Sequence, residues 1–195
     1  MIALPQQFYA QDTITVAKQL LGKLLVRHLN GEVLAAKIVE TEAYIGEDDP
    51  ACHAARGRTP RTEIMYGPPG FAYIYFIYGM YFCLNAVTEA EGFPAAVLIR
   101  AAEPVGGLEQ MRRLRRVKND LQLANGPGKL CQAFDLNRDL NGAPLTQPPL
   151  YIADSPVVPS DEIVATSRVG ISAGKSHLWR FLIKNNHFAS HPNHR

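Results

Sequence analysis

The feature that most constrains this sequence is the pair Asn30-Gly31, which lies between two β-rich runs. Both residue types tolerate the positive φ angles of a type I′ turn, so the pair predicts a β-hairpin formed by residues 23–29 and 32–44. If the second strand is regular, one of its faces begins apolar and ends in polar groups. The residues on that face are Leu34, Ala36, Ile38, Glu40, Glu42 and Tyr44. The strand is therefore expected to leave the core and enter a polar site.

A second hairpin is predicted at residues 71–87, which are β-rich but too many for one ordinary strand. Gly79 is the natural place for a bend, so two strands should meet near Tyr78-Gly79. A further strand is expected at residues 95–100. Together these runs favour a sheet built largely from hairpins.

Two helices are expected beside the strands. The first covers residues 13–21, with Asp12 as its N-cap and Gly22 as its stop. The second runs from about Gly107 to Val117.

Positive charge is concentrated towards the C-terminus, because residues 111–195 hold twelve basic and six acidic residues. The densest basic stretch is residues 112–118, on the second predicted helix. Such a stretch could contact phosphates, although a solvated helix face is the commoner origin of a charge run. Both interpretations stay open at this point.

The composition, 47% hydrophobic and 19% charged, is typical of a globular protein, and 195 residues suffice for one core. We expect a single domain over residues 1–195, with residues 189–195 frayed. Three cysteines without CxxC spacing argue against a disulfide framework and fit a cytoplasmic protein. We expect neither a signal peptide nor a membrane span, because no run of about 18 apolar residues occurs.

Residues 45–70 are rich in Gly, Pro, Asp and Arg and form a loop too long for a plain connector. Such a loop is either functional or mobile. His53 lies in it, and a lone loop histidine is more often a hydrogen-bonded structural group than a catalyst. No second histidine follows at zinc-ligand spacing, so we expect no metal site.

Glu40 and Glu42 lie two residues apart on the predicted strand, which places their carboxylates on one face about 6–7 Å apart along the backbone. Two close carboxylates raise at least one pKa, and a carboxylate with a raised pKa can serve as a general base. The alternative is a polar strand end with one carboxylate paired to an arginine.

Four tyrosines occur within nine residues of the second hairpin, namely Tyr73, Tyr75, Tyr78 and Tyr81. Buried hydroxyls need hydrogen-bond partners, so this is a heavy polar load for a plain core strand. The rings could instead line a pocket for a flat ligand such as a nucleobase, which stacks on aromatic faces. Core packing remains the alternative.

Gly126-Pro-Gly-Lys129 superficially suggests a phosphate loop, but it lacks the GxxxxGK[ST] spacing. An NTPase is therefore a poor interpretation. Lys129 could still contact a single phosphate of a nucleic acid.

These motifs, in this order, resemble those of the alkyladenine (3-methyladenine) DNA glycosylase family, and the likeness spans nearly the whole chain. The segments that carry it are residues 39–44, His53, residues 58–61, residues 73–85, residues 98–104, residues 126–132 and residues 168–171. The resemblance implies an α+β domain with a curved antiparallel sheet of hairpins surrounded by helices. It also implies a monomeric enzyme without cofactor, which flips a damaged purine out of double-stranded DNA and hydrolyses its N-glycosidic bond.

By position, the resemblance implies a role for nine residues of this chain. Glu42 would be the general base, with Arg100 and the backbone carbonyl of Val169 holding the attacking water. Tyr78 would wedge into the duplex and Lys129 would contact a phosphate. The walls of the base pocket would be Tyr44, His53, Tyr75 and Asn85, of which Asn85 would disfavour guanine.

The chemistry of base removal agrees with this expectation. Cleavage of the N-glycosidic bond passes through an oxocarbenium-like sugar, which a carboxylate stabilises. Candidate lesions are 3-methyladenine, hypoxanthine and etheno adducts. Two other functions are kept as alternatives: a catalytically inert module that binds damaged DNA, and a hydrolase of free nucleosides. The presence of Glu42 and Arg100 disfavours the inert module, and a nucleoside hydrolase has no use for a wedge such as Tyr78.

Overall fold

The computed structural model describes residues 1–190, in which nine strands form one antiparallel sheet around the long strand β2. The strands are β1 Leu24–Leu29, β2 Glu32–Ile45, β3 Ala72–Ile77, β4 Tyr81–Val87, β5 Ala95–Gly106, β6 Thr146–Gln147, β7 Leu150–Ala153, β8 Ile163–Thr166 and β9 Arg180–Ile183. The α-helices are α1 Gln6–Tyr9, α2 Thr13–Gln19, α3 Leu108–Arg115 and α4 Pro127–Ala133. The α+β class with a curved antiparallel sheet is thereby confirmed.

The predicted hairpin at Asn30-Gly31 is confirmed. Leu29 pairs with Glu32, and the two residues between them have φ angles of 51° and 83°. Positive φ at both central residues is the requirement of a type I′ turn.

Strand β2 organises the sheet because three strands pair with it. Strand β5 follows one edge from Ala35 to Ile45. The other edge is shared by β1, which pairs with residues 32–37, and β9, which pairs with residues 40–42. The order along the sheet is β3-β4-β5-β2-β1-β7-β6, with β9 and β8 branching from β2.

Strand β2 does not meet the condition of regularity, because its pairing with β5 shifts register between Ala35 and Ala36, between Ile38 and Glu40 and between Glu40 and Thr41. Such bulges bend a strand and increase its twist. Residues 38–43 are also buried at every position, so β2 lies in the core on both faces. The carboxylates of Glu40 and Glu42 are therefore inside the protein and not at a strand end facing water.

The two predicted helices lie where the sequence places them, with shorter bounds, whereas α1 and α4 were not predicted. Helix α2 ends at Gln19 and packs on β2, where the Thr41 hydroxyl donates to the Ala17 carbonyl at 2.8 Å. Helix α3 stops at Arg115 because Arg116 adopts a left-handed φ of 53°. Strand β5 is six residues longer than expected, since its partner β2 is long enough to pair with it throughout.

The second hairpin bends where predicted. Ile77 pairs with Tyr81, and Tyr78 and Gly79 have φ angles of 54° and 69°. The Met80 N–H bonds to the Ile77 carbonyl at 3.3 Å. Tyr78 therefore occupies a left-handed position at the tip, and its side chain is 78% exposed.

The long loop that follows β2 is an ordered cover over one end of the sheet. It contains 3-10 turns at His53–Arg56 and Glu63–Tyr66. Its buried residues pack against β3, β4 and β5 in a small cluster separate from the main core, formed by Cys52, Ala54, Met65, Tyr66, Tyr73, Val87 and Ala96. Of the two interpretations, the mobile connector is disfavoured.

The frayed tail predicted for residues 189–195 is wrong for its first two residues. Ala189 is buried, and the Ser190 backbone N–H and hydroxyl donate to Glu40. Residues 191–195 lie outside the described residues. Within residues 1–190, no helix has the length and apolar character needed to cross a membrane.

The Gly126-Pro-Gly-Lys129 segment generates a stability prediction, because its two glycines have different surroundings. A Cβ on Gly128, inside α4, would lie 2.9 Å from Cγ and Cδ1 of Tyr81 and 3.0 Å from its Cβ. The Tyr81 Cβ is attached to the backbone of β4, so it cannot rotate away from the added atom. Gly128→Ala should lower the free energy of unfolding by about 1–3 kcal/mol, although alanine normally favours a helix.

The matched control is Gly126→Ala, where an added Cβ would approach only Lys129 Cδ, at 3.8 Å. This variant should unfold within about 0.5 kcal/mol of the wild type. Urea denaturation of both variants measures the difference. Equal stabilities would show that contact with Tyr81 does not constrain Gly128.

Candidate active site

A cavity of about 480 Å³ opens between the second hairpin, the covering loop, the start of α4 and residues 169–171. This volume is in the range of small-molecule pockets and suits one flat ligand the size of a nucleobase. Eight of the nine predicted site residues line it: Tyr44, His53, Tyr75, Tyr78, Asn85, Arg100, Lys129 and Val169. Glu42 lies directly behind that lining, hydrogen-bonded to Tyr44, Arg100 and Val169.

The Glu40 carboxylate is fully buried and held by two arginines. Arg100 Nε donates to its Oε1 at 3.1 Å and Arg180 Nε donates to the same atom at 2.6 Å. Ser190 also donates to the carboxylate, through its backbone N–H to Oε2 at 2.6 Å and through its hydroxyl to Oε1 at 2.8 Å. With four donors, Glu40 is a structural anchor that joins β2, β5, β9 and the C-terminal segment.

The Glu42 carboxylate is equally buried but has fewer partners. The Val169 N–H donates to Oε1 at 2.7 Å and the Tyr44 hydroxyl donates to Oε2 at 2.8 Å. Arg100 is 3.3 Å from Oε2 through one terminal nitrogen. Burial raises the pKa of Glu42, while Arg100 and the two hydrogen-bond donors oppose the rise.

Each of the two alternatives raised by the sequence therefore applies to one of the two carboxylates. Glu40 is the arginine-paired structural group, and Glu42 is the carboxylate with a raised pKa. The main cause of that rise is burial, and the charge of Glu40 is the smallest contribution. A buried carboxylate in this state, next to a cavity, can accept a proton from a bound water.

His53 is held against two tyrosines of β3. Its Nδ1 is 2.8 Å from the Tyr73 hydroxyl, and its ring meets that of Tyr75 edge-to-face at a centroid distance of 4.5 Å. Burial, together with the positive charges of Arg61 and Arg56, lowers the pKa of His53 to about 4. The imidazole is therefore neutral at pH 7.

The tyrosines of the second hairpin all line the cavity, and one of them also belongs to the core. Tyr73, Tyr75, Tyr78 and Tyr81 contribute to the lining, and Tyr73 is in addition a buried member of the small cluster under the covering loop. Tyr75 also has the Arg61 guanidinium 5.0 Å from its ring centroid. Burial raises the pKa of Tyr75, so its hydroxyl stays protonated. The whole run therefore contributes to the cavity, and core packing applies to Tyr73 as well.

Asn85 is buried in β4 at the cavity wall. Its Nδ2 donates to the Tyr73 carbonyl at 2.9 Å, across the β3–β4 pair. This bond fixes the plane of the amide, so the position of its side-chain oxygen is set by the sheet.

The structure separates the two predicted phosphate contacts. Lys129 lies at the cavity, where its Nζ donates to Asn125 Oδ1 at 2.8 Å. On α3, Arg112 forms a bidentate pair with Asp120, and Arg115 donates to the Leu123 carbonyl. The basic stretch at residues 112–118 therefore uses two of its arginines to hold the chain that follows α3.

The sequence analysis missed a buried ion pair next to the cavity. Arg168 donates to both oxygens of Asp49, at 2.6 and 2.7 Å, and both side chains are fully buried. Arg168 belongs to the 168–171 motif and directly precedes Val169, which could have identified it. No local pattern marks Asp49, because its partner is 119 residues away.

Val169 also makes a contact that the resemblance does not imply. Its backbone N–H donates to Glu42, while the role implied for its backbone carbonyl, towards the attacking water, stays a prediction. Among residues 1–190, no group of three or more His, Cys, Asp or Glu side chains is placed to hold a metal ion.

Comparison with known proteins gives a consistent family. Residues 7–187 match the family described as methylpurine-DNA glycosylase (MPG). A protein of Carboxydothermus hydrogenoformans named "Putative 3-methyladenine DNA glycosylase" is 52% identical over 188 residues, covering 96% of this chain and 98% of the relative. A protein of the same name from Methanocella arvoryzae is 53% identical, covering 95% and 94%, respectively. Another from Clostridium acetobutylicum is 50% identical, covering 93% and 94%.

The match extends over nearly the whole described chain and includes every segment that lines the cavity. The resemblance predicted from the sequence motifs is thereby confirmed, as is the enzyme class. The chain belongs to the methylpurine-DNA glycosylase family.

Proposed function

We propose that this protein removes alkylated or deaminated purines from double-stranded DNA by flipping the base into the cavity and hydrolysing its N-glycosidic bond. The single observation that carries the proposal is the position of Glu42. It is a buried carboxylate with a raised pKa, directly behind an aromatic pocket and bonded to three residues of the pocket wall. Release of the base leaves an abasic site, which initiates base excision repair.

In the proposed reaction, a water oxygen bonds to C1′ of the deoxyribose while the C1′–N bond breaks and its electron pair leaves with the base. Glu42 accepts the proton that the water loses. Its negative charge also stabilises the oxocarbenium-like sugar, as carboxylates do in glycoside hydrolysis. Arg100 has one terminal nitrogen near Glu42 and lines the cavity, which supports a role in orienting that water.

Recognition of the base is supported by the aromatic walls. Tyr44, His53 and Tyr75 line the cavity, and their faces suit a flat ring. An alkylated purine that carries positive charge gains cation–π attraction from tyrosine rings. His53 is neutral at pH 7, so it adds no like charge against such a base and can share a hydrogen bond with it.

Base flipping is supported by the tip of the second hairpin. Extrusion of a base costs a few kcal/mol, which an aromatic side chain offsets by filling the gap. Tyr78 is exposed at the tip and still belongs to the cavity rim. It also holds a left-handed φ that Asn or Gly would adopt with less strain, and strain of this kind is concentrated at functional sites.

The substrate range we propose comprises 3-methyladenine, hypoxanthine and etheno adducts. The fixed amide of Asn85 supports exclusion of guanine, because a buried side chain held in place by the sheet cannot move aside for the exocyclic amine of guanine. Lys129 at the cavity supports a contact to one phosphate of the target strand. We propose further that the protein acts as a monomer on cytoplasmic DNA.

The first prediction concerns Glu42→Gln, which keeps the shape of the side chain and removes its basicity. Single-turnover release of hypoxanthine from a duplex should fall at least about 100-fold, because general-base catalysis contributes 10²–10⁴-fold. Binding to the same duplex should persist. The assay combines rapid-quench excision with fluorescence-anisotropy binding.

The matched control is Glu103→Gln, the same change at a half-exposed β5 residue paired with Lys37. It should excise at the wild-type rate. If Glu42→Gln keeps wild-type turnover, Glu42 is not the base. If the wild type releases no damaged purine but binds duplex DNA with strong salt dependence, the inert DNA-binding module replaces the glycosylase.

The pH dependence gives a second prediction. A general base acts when deprotonated, and burial raises the pKa of Glu42. The single-turnover rate should therefore rise with pH through a limb that lies above the ordinary range of a glutamate, and then level off. The residual rate of Glu42→Gln should lack this limb. A limb at the ordinary glutamate value would contradict the raised pKa.

The third prediction separates the wedge from folding. Tyr78→Asn relieves the left-handed strain and should raise Tm by about 2–4 °C, while lesion binding weakens by about tenfold or more because the stacking ring is lost. Tyr78→Phe keeps the ring and should bind and excise like the wild type. Normal lesion binding by Tyr78→Asn would remove Tyr78 from the wedge role.

A further inference from the structure

We propose that the buried Asp49–Arg168 pair is a positioning device that aligns both neutral hydrogen-bond donors of Glu42. The proposal rests on the glycosylase function proposed above, and it deepens that function by assigning two residues that act through others. Neither side chain lines the cavity, so both act as positioning residues.

The pair is rigidly tied to the chain on both sides of the site. Arg168 also donates to the Ala43 carbonyl at 2.9 Å, inside β2. Asp49 accepts the backbone N–H of Ala51 at 3.0 Å and that of Ile45 at 3.3 Å. The pair therefore joins the end of β2, the start of the covering loop and the segment that follows β8.

Arg168 reaches Glu42 by two routes. Through the chain, it fixes the next residue, Val169, whose N–H donates to Oε1 of Glu42. Through stacking, its guanidinium lies 4.7 Å from the ring centroid of Tyr44, whose hydroxyl donates to Oε2. One arginine thus orients a donor on each oxygen of the carboxylate.

Aromatic packing supports the guanidinium from outside the site. It lies 5.1 Å from the ring centroid of Trp179, which in turn stacks on His177 at 4.1 Å with planes 16° apart. A planar guanidinium can stack and form a fork of two hydrogen bonds at once, whereas a lysine ammonium cannot.

Stability alone does not explain this pair. Desolvation largely cancels the attraction within a buried ion pair, and here the Nε of Arg168 is buried without a hydrogen-bond partner among the described residues. The geometry points to a second use for the pair, which is to hold the partners of Glu42 in place.

The charged and titratable groups that face Glu42 come from each element around it. They are Arg100 from β5, Glu40 and Tyr44 from β2, Cys83 from β4, and Arg168 from the segment after β8, with Arg180 of β9 bonded to Glu40. Loss of aligned donors disfavours the carboxylate anion. Loss of the negative charge of Asp49 favours it, because a like charge is removed.

Asp49→Asn distinguishes these two effects, because they shift the pKa of Glu42 in opposite directions. Asparagine has nearly the same shape but offers one acceptor oxygen, so the fork of Arg168 is broken. If the pair positions the donors, the acid limb of single-turnover excision should move up by about half a pH unit to one pH unit, the value of one weakened hydrogen bond. The plateau rate should fall by about 10–100-fold with little change in KM. A charge effect alone would move the limb down.

A readout without DNA is the amide proton of Val169, whose NMR shift follows ionisation of the carboxylate that it bonds. Its midpoint should move up in Asp49→Asn by the same amount as the acid limb. Arg168→Lys, which keeps the charge but not the fork, should show an upward shift in the same range. This readout decides the proposal even if the wild type excises no lesion, an outcome that would overturn the glycosylase function alone.

The control is Lys23→Met, which breaks the ion pair of buried Lys23, the residue before β1, with the exposed Asp154. It should lower Tm and leave both midpoints unchanged, which separates positioning from general loss of stability. Midpoints in Asp49→Asn that stay at the wild-type value, or move down, would overturn the proposal.

Discussion

Burial of two carboxylates beside each other on β2 is the constraint on which the rest of the structure depends. Neither Glu40 nor Glu42 can be desolvated as a charge unless cations and donors are brought to it. The donors come from β5, β9, the segment after β8 and the C-terminal segment. Four distant parts of the chain must therefore converge on β2, and the bulges that bend this strand occur at the same place.

This convergence also leaves the two carboxylates with unequal compensation of their charges. Glu40 has four donors and its charge is well compensated, whereas Glu42 has weaker compensation and lies directly behind the wall of the cavity. Arg100 contacts both, so it couples the structural carboxylate to the one proposed to act as base. The hairpin that carries Tyr78 pairs with the neighbouring strand β5, which places the proposed wedge and the proposed base on one continuous sheet.

The local patterns of the sequence predict local structure well. Asn30-Gly31 and Tyr78-Gly79 mark the turns of the two hairpins, because few residue types adopt positive φ angles readily and such positions stand out in a sequence. Spacing alone also suggested that Glu40 and Glu42 act together. The partners of these carboxylates could not be derived in this way, since Arg180 and Val169 lie more than 120 residues from them and the bulges depend on sheet pairing. The family motifs supplied Arg100 and Val169, but nothing in the sequence indicated Asp49.

The central claim is that a flipped base occupies the cavity while Glu42 faces the sugar carbon. A crystal structure of the Glu42→Gln variant bound to a hypoxanthine-containing duplex tests it most directly. We expect the hypoxanthine to lie against Tyr44, His53 and Tyr75, the Tyr78 ring to fill the gap that the base leaves, and a water to lie between residue 42 and C1′. A complex with the lesion still stacked in the duplex, or with residue 42 remote from C1′, would contradict it.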